Sequence, residues 1–190
     1  MNTNLAYQDD YGREELIGGE VVMMSPASTN HNRIAGDIFK IFSIYLEGRT
    51  CEPFSDGMDV YLTEEDHFIP DMMVVCDPEK VQWNGVFGAP DLVVEVLSPS
   101  TGRTDRGRTM RVYGQCGVRE YWIVSPNERS VEQYFLQDGQ LVLNDIYTLL
   151  PDYMLESMKD EERAQVVTEF KCSLFDDLVI SLEDVFARVK

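Results

Sequence analysis

Two short runs carry carboxylates where strand-forming residues otherwise predominate. They are Ile69-Pro70-Asp71-Met72-Met73-Val74-Val75-Cys76 and Ala89-Pro90-Asp91-Leu92-Val93-Val94-Glu95-Val96-Leu97-Ser98. A strand buried among other strands has no ordinary reason to hold an acid. Burying a lone charged carboxylate is costly or forces its pKa upward, so Asp71 and Glu95 should share a cation or lie where water reaches them. Two acids on neighbouring strands compose a site for a hard, oxygen-seeking metal. Asp71 and Asp91 each follow a proline and can equally be read as turn residues that open a strand. Glu95 has no such turn. Flanked by Val93, Val94, Val96 and Leu97, it requires a partner.

The elements that must position these acids are legible from pattern. Glu20 to Met24 reads as a short strand after the Gly18-Gly19 turn, and Ser28 or Thr29 can cap a helix over 30–47 whose Ile34, Ile38, Ile41, Phe42 and Tyr45 recur at helical spacing. Strands follow near 58–62, after Pro70 and after Asp91, the last ending at Ser98-Pro99-Ser100. A helix over 104–115 then leads through Gly117 into Glu120-Tyr121-Trp122-Ile123-Val124. A helix between two apolar strands is a crossover, which predicts that those strands are parallel. Residues 131–136 and 141–147, joined at Asp138-Gly139, form a hairpin. The stretch 156–165 reads as a solvated surface helix, and Ser181 opens a final helical turn through a capping box. The glycines at 18 and 19 lack the strand, loop and helix context of a phosphate-binding loop. Trp83 and Trp122 are expected to be packing residues.

The chain has 190 residues, 44% of them hydrophobic, which suits one domain with a proper core. No run approaches the roughly 18 apolar residues of a membrane span, and the first residues lack the pattern of a signal peptide, so a soluble cytoplasmic protein is expected. Cys51, Cys76, Cys116 and Cys172 are scattered without a Cys-x-x-Cys pair or a nearby histidine cluster. They read as reduced, packed thiols. The net charge of −18 repels polyphosphate at long range, so any DNA contact must be local.

Several motifs in order closely resemble one family. They are Glu15-Leu16-Ile17, Gly19-Glu20, Ser25-Pro26, His31, Pro70-Asp71, Asp91 through Thr101, Asp105, Tyr113, Gly117-Val118, Glu120 through Val124, and Pro126. Over about residues 15–186 the chain resembles the Uma-two family of endonucleases, long carried as a domain of unknown function, in the PD-(D/E)XK restriction-endonuclease-like superfamily. The resemblance implies an α/β fold of the α+β type, a mixed sheet with flanking helices, to which this chain adds the β-hairpin. It implies one Mg²⁺ or Mn²⁺ held by Asp71, Glu95 and the backbone carbonyl of Val96, with Glu15 reaching in from the N-terminal segment. The implied activity is metal-dependent hydrolysis of DNA phosphodiester bonds, and the superfamily makes a homodimer plausible. Mg²⁺ suits the donor set, since it prefers oxygen ligands and leaves positions for a phosphate oxygen and an attacking water.

The chain departs from the family at the lysine that helps to orient or deprotonate that water. Two residues after Glu95 stands Leu97, and the helix position four after Asp105 and four before Tyr113, where relatives usually carry lysine, is Thr109. Threonine is neutral and a poor base. Arg106, neighbouring Thr109 around a regular helix, is the expected stand-in; it could hold a phosphate but would hardly accept a proton. Thr109 also admits the alternative of a catalytically inactive relative that binds nucleic acid or a protein. Arg103, Arg106, Arg108, Arg111 and Arg119 concentrate positive charge, either as a phosphate-binding face or as solvated arginines paired with surface acids. His31 could assist a metal or phosphate, or serve as a capping or surface residue. His67, in a polar loop, reads as structural.

Overall fold

The computed structural model describes residues 13–24, 26–98, 102 and 105–190. Ser25, Pro99, Ser100, Thr101, Arg103 and Thr104, which belong to motifs singled out above, lie outside the described residues.

The fold is α/β, built on a six-stranded mixed sheet. Its strands are β3 (Glu52–Ser55), β6 (Met72–Val75), β9 (Leu92–Val96), β10 (Glu120–Ser125), β11 (Ser130–Gln137) and β12 (Gln140–Thr148), in the spatial order β12-β11-β10-β9-β6-β3. β9 and β10 are parallel, as the crossover predicts, and the other neighbours are antiparallel. The hairpin is β11 and β12, turning at Asp138-Gly139.

Alternation along β9 sets its two faces apart. Leu92, Val94 and Val96 pack with helix α1 (Thr29–Tyr45), whose Ile34, Ile38 and Phe42 are wholly buried. Phe42 meets Trp122 of β10 with ring centroids 5.7 Å apart, and each such buried side chain stabilises by roughly 1.5–3 kcal/mol. β13 (Glu169–Lys171) and β14 (Val179–Ser181), followed by a last helix (Leu182–Val185) capped by Ser181, complete this layer. Val93 faces the opposite side, and so does Glu95, two residues further on. There a second sheet closes over the first: β1 (Glu14–Ile17), β2 (Glu20–Met23), β4 (Val60–Tyr61), β5 (Asp66–Phe68), β7 (Val81–Gln82) and β8 (Gly85–Phe87). Its first turn needs glycine, since Gly18 and Gly19 have φ of 56° and 79° in a two-residue hairpin.

Helix α2 (Met110–Cys116) crosses from β9 to β10 on this same side and ends at Gly117 in the left-handed conformation, φ 98°. The predicted regular helix over 104–115 is corrected at its start. Asp105–Thr109 forms a wider π turn, which changes the direction of every side chain it carries. The stretch 156–165 is polar and exposed as expected but breaks into Asp152–Ser157 and Asp160–Arg163.

Two further expectations are overturned. Cys51 and Cys76 form a disulfide, leaving Cys116 and Cys172 as free thiols. Cys51 and Cys76 flank the β3–β6 ladder, where Glu52 opposes Val75, so strand register joins residues that are far apart in sequence. Trp83 is 96% exposed at the β7–β8 turn, whereas Trp122 is buried as expected. No described helix is long and apolar enough to cross a membrane.

Candidate active site

Strand register brings Asp71 and Glu95 together. Met72 opposes Val94 in the antiparallel β6–β9 ladder, so one further step puts Asp71 across from Glu95. Both are nearly buried, with 7% and 8% of their surface exposed. Asp71 Oδ2 accepts the Val96 N–H at 2.7 Å and lies 3.0 Å from His31 Nε2. His31 is held there because Ser28 caps the first turn of α1, its Oγ accepting the His31 N–H at 3.2 Å. Glu15 comes from β1, its Oε1 accepting the Ile69 N–H at 3.0 Å just ahead of Asp71. With Asp105 and Arg13, these side chains line a cleft of about 400 Å³. Val96 and Thr109 also reach it.

Burial first, then the charges of Asp71, Asp105 and Glu15, push the Glu95 carboxyl well above the ordinary carboxylate range. Burial and Asp71 likewise raise Glu15. For His31, burial opposes protonation, but the hydrogen bond and charge of Asp71 outweigh it and its pKa rises. Glu15, Asp71, Glu95 and Asp105 share one cleft, and for Glu95 and Glu15 burial and like charge outweigh the hydrogen bonds they accept.

Glu120 shows what a compensated buried carboxylate looks like in the same fold. Fully buried, it accepts from Trp122 Nε1 and Gln133 Nε2, both at 2.6 Å, from the Ser173 N–H at 2.7 Å and from Ser173 Oγ at 2.5 Å. Glu95 has the Tyr113 hydroxyl at 3.3 Å and the Asp71 backbone. Glu120 has four donors from the protein; Glu95 has these two, and three other carboxylates bear on it.

Arg106, Arg108, Arg111 and Arg119 point elsewhere. Arg106, expected as the substitute for lysine, makes a two-pronged pair with Glu132 of β11 and does not line the cleft. Arg108 reaches Glu20 at 3.1 Å, and Arg119 reaches Asp91 at 3.4 Å. Arg111 is exposed and lines a different cavity beside Gly139. The π turn explains why the neighbour relations of a regular helix mislead here. Thr109 does face the cleft, 3% exposed; among the described residues neither its Oγ1 nor His31 Nδ1 has a hydrogen-bond partner. His67 pairs with Asp59 at 2.8 Å and stacks on Tyr61, a structural arrangement. Sequence reasoning passed over Arg13, which precedes β1 in a glycine-flanked, otherwise acidic stretch without periodic signal. It undervalued His31, for which the Ser28 cap was the available clue.

Residues 4–160 match the Uma2 family, described as "Putative restriction endonuclease". The chain belongs to the Uma2 family. Two proteins of Synechocystis sp., both described as uncharacterized, are similar to it. One is 31% identical over 136 residues, covering 70% of this chain and 72% of the relative. The other is 29% identical over 139 residues, covering 70% and 78%. The fold is similar to a crystal structure from Anabaena variabilis described as a putative nuclease belonging to DUF820. The TM-score is 0.69 at 19% identity, covering 92% of this chain and 89% of that chain.

Restriction-endonuclease-like families generally use a divalent metal, and the Uma2 residues here can be tested against one. Among the described residues, no group of three or more His, Cys, Asp or Glu is disposed to hold an ion alone. The donor set instead suits a hard divalent cation that takes one or two carboxylates and fills its other positions with water and substrate. Glu95, with like charges around it, and Thr109 Oγ1, without a partner among the described residues, line the same cleft and fit a polar, cationic occupant.

Proposed function

We propose that the chain is a divalent-metal-dependent nuclease that hydrolyses DNA phosphodiester bonds in the cleft between the two sheets. The observation that carries this reading is the pairing of Asp71 with Glu95 across β6 and β9, buried together without the donors that Glu120 enjoys. Asp71, Glu95 and the Val96 carbonyl would hold Mg²⁺ or Mn²⁺, with Glu15 close by. A cation bound there supplies Lewis-acid stabilisation of the charge that grows on the phosphate.

The chain's own residues prepare the cleft for that chemistry. The Val96 N–H and His31 both address Asp71 Oδ2, fixing the carboxylate and leaving Oδ1 for a ligand. Glu15, tied to the Ile69 N–H, would serve as a proton acceptor, its pKa raised first by burial and then by the charge of Asp71. Behind the cleft, the buried Tyr113 donates its hydroxyl to Glu95, and the low exposure of Glu95 and Asp71 strengthens the charge interactions they make.

Thr109 favours one second reading, a relative that binds nucleic acid without cutting it. A nicking assay on supercoiled plasmid with Mg²⁺ or Mn²⁺ separates the two, with Glu95→Gln as the control for contaminating nuclease. Nicking by the wild type that disappears in Glu95→Gln supports the enzyme. Cleavage that survives in Glu95→Gln removes the site assignment, and metal-induced stabilisation without nicking gives the binding protein.

A further inference from the structure

The cleft carries Glu15, Asp56, Asp71, Glu95 and Asp105, and among its described lining residues Arg13 is the sole lysine or arginine. A phosphodiester entering so acidic a space needs positive charge beyond any bound metal. Arg106, Arg108 and Arg119 are each engaged with an acid outside the cleft.

Arg13 is built into place. Its carbonyl accepts the Met24 N–H at 2.9 Å, extending the β1–β2 ladder by one step. Being two and four residues before Glu15 and Ile17, it shares their face of the strand. The side chains grade from exposed Arg13 through half-buried Glu15 to buried Ile17, and the first two line the cleft while the third enters the core. Asp56 holds the guanidinium through Nη1, and the following Gly57, with φ +103°, makes room for it. A Cβ at Gly57 would stand 3.2 Å from Arg13 Nη2. The side chain stays half exposed, so donors remain for a ligand. A guanidinium has five N–H groups in a rigid fork, and one contact with Asp56 orients it without exhausting it.

We propose that Arg13 is the phosphate ligand of the cleft, held by Asp56 so that its free donors meet a non-bridging oxygen of the DNA backbone. This rests on the nuclease reading above. Arg13 then supplies the charge that Thr109 does not, while leaving proton transfer to other groups, because a guanidinium stays protonated.

The test compares wild type, Arg13→Ala, Arg13→Lys, Arg106→Ala and Glu95→Gln. Binding of a short DNA duplex is measured in Ca²⁺ across a salt series, and plasmid nicking is measured in Mg²⁺ or Mn²⁺. In Arg13→Ala the affinity should fall about tenfold and the slope of log affinity against log salt by about one phosphate contact. Nicking at saturating DNA should fall on the order of 10²-fold, the usual scale for removing one donor to a developing charge. Arg13→Lys should keep the salt slope and recover part of the rate, which a merely structural arginine would not do. The metal-induced rise in melting temperature should persist in Arg13→Ala, because Arg13 meets substrate rather than metal. Unchanged affinity, slope and rate in Arg13→Ala overturn the assignment, as does a loss that appears only in Arg106→Ala. If wild type nicks plasmid and Glu95→Gln does not, that failure belongs to Arg13 alone. A wild type that neither binds nor nicks DNA overturns the nuclease reading and Arg13 with it.

Discussion

Glu95 and Glu120 occupy matching sequence settings, an acid beside a β-branched and aromatic run, yet the fold treats them oppositely. Glu120 receives a full set of donors, some from Gln133 and Ser173, which sequence proximity does not reveal. Glu95 faces three other carboxylates. Glu120→Gln should therefore destabilise the protein by roughly 1–3 kcal/mol, since charge-assisted bonds are lost from a buried network. Glu95→Gln should leave the metal-free protein at least as stable while abolishing the shift in melting temperature that Mg²⁺ or Mn²⁺ induces. The sign with pH follows from the raised Glu95 pKa. Above the ordinary carboxylate range the folded protein holds a proton that the unfolded chain has released, so wild-type stability falls as pH rises through the folded value. The Gln variant lacks this loss. Melting curves of the two metal-free proteins should diverge as pH rises, and parallel curves would mean that Glu95 is compensated after all. The acid in an apolar run was legible in the sequence. That one such acid is satisfied and another is not depends on contacts made across the fold.

Among the elements, those with strong periodicity were legible: α1, the parallel pair β9 and β10, and the β11–β12 hairpin all follow from apolar spacing and turn residues. Of the covering sheet only β2 and β4 were legible, because its strands are two to four residues long and too short to show a clear period. Nor was the π turn, whose widened step redirects Arg106 to Glu132 and turns Thr109 toward the cleft. For Glu132, burial works against ionisation, but the bonds from Arg106 and Tyr134 prevail and lower its pKa. The pair's stabilisation is therefore present above the ordinary glutamate pKa and lost as pH falls through the lowered folded value. Arg106→Ala should lower stability by no more than about 1 kcal/mol at neutral pH, as expected for a partly exposed pair, and the gap from wild type should close in acid. A gap that persists in acid would assign Arg106 a role other than pairing with Glu132. Thr109→Lys would carry an ammonium into the cleft beside Glu95 and Asp105. If Arg13 leaves orientation of the attacking water unserved, this variant should raise nicking in the plasmid assay; an unchanged rate would show that the missing lysine does not limit cleavage.

The whole molecule carries −18, yet the proposed substrate is itself a polyanion. The two facts act at different ranges. At long range the acidic surface repels DNA, and in the cleft Arg13 and a metal would attract a single phosphate. The arginines that looked like a binding face in the sequence are largely neutralised by Glu132, Glu20 and Asp91, which removes the broad attraction that a basic nuclease uses to steer its substrate. Salt must then push the two stages of binding in opposite directions. Raising salt from about 10 mM to 0.15 M shortens the screening length from about 30 Å to about 8 Å, weakening the long-range repulsion. Over that interval the association rate constant with a DNA duplex should rise. The dissociation rate should rise more steeply, as the local phosphate contact weakens through counterion competition. Equilibrium affinity should therefore show a shallow salt slope that conceals two larger opposing ones. Stopped-flow mixing with a fluorescent duplex separates them. An association rate that falls with salt would mean that exposed arginines such as Arg111 still steer DNA despite the surrounding acids, and that the encounter is driven by a basic face rather than captured at the cleft.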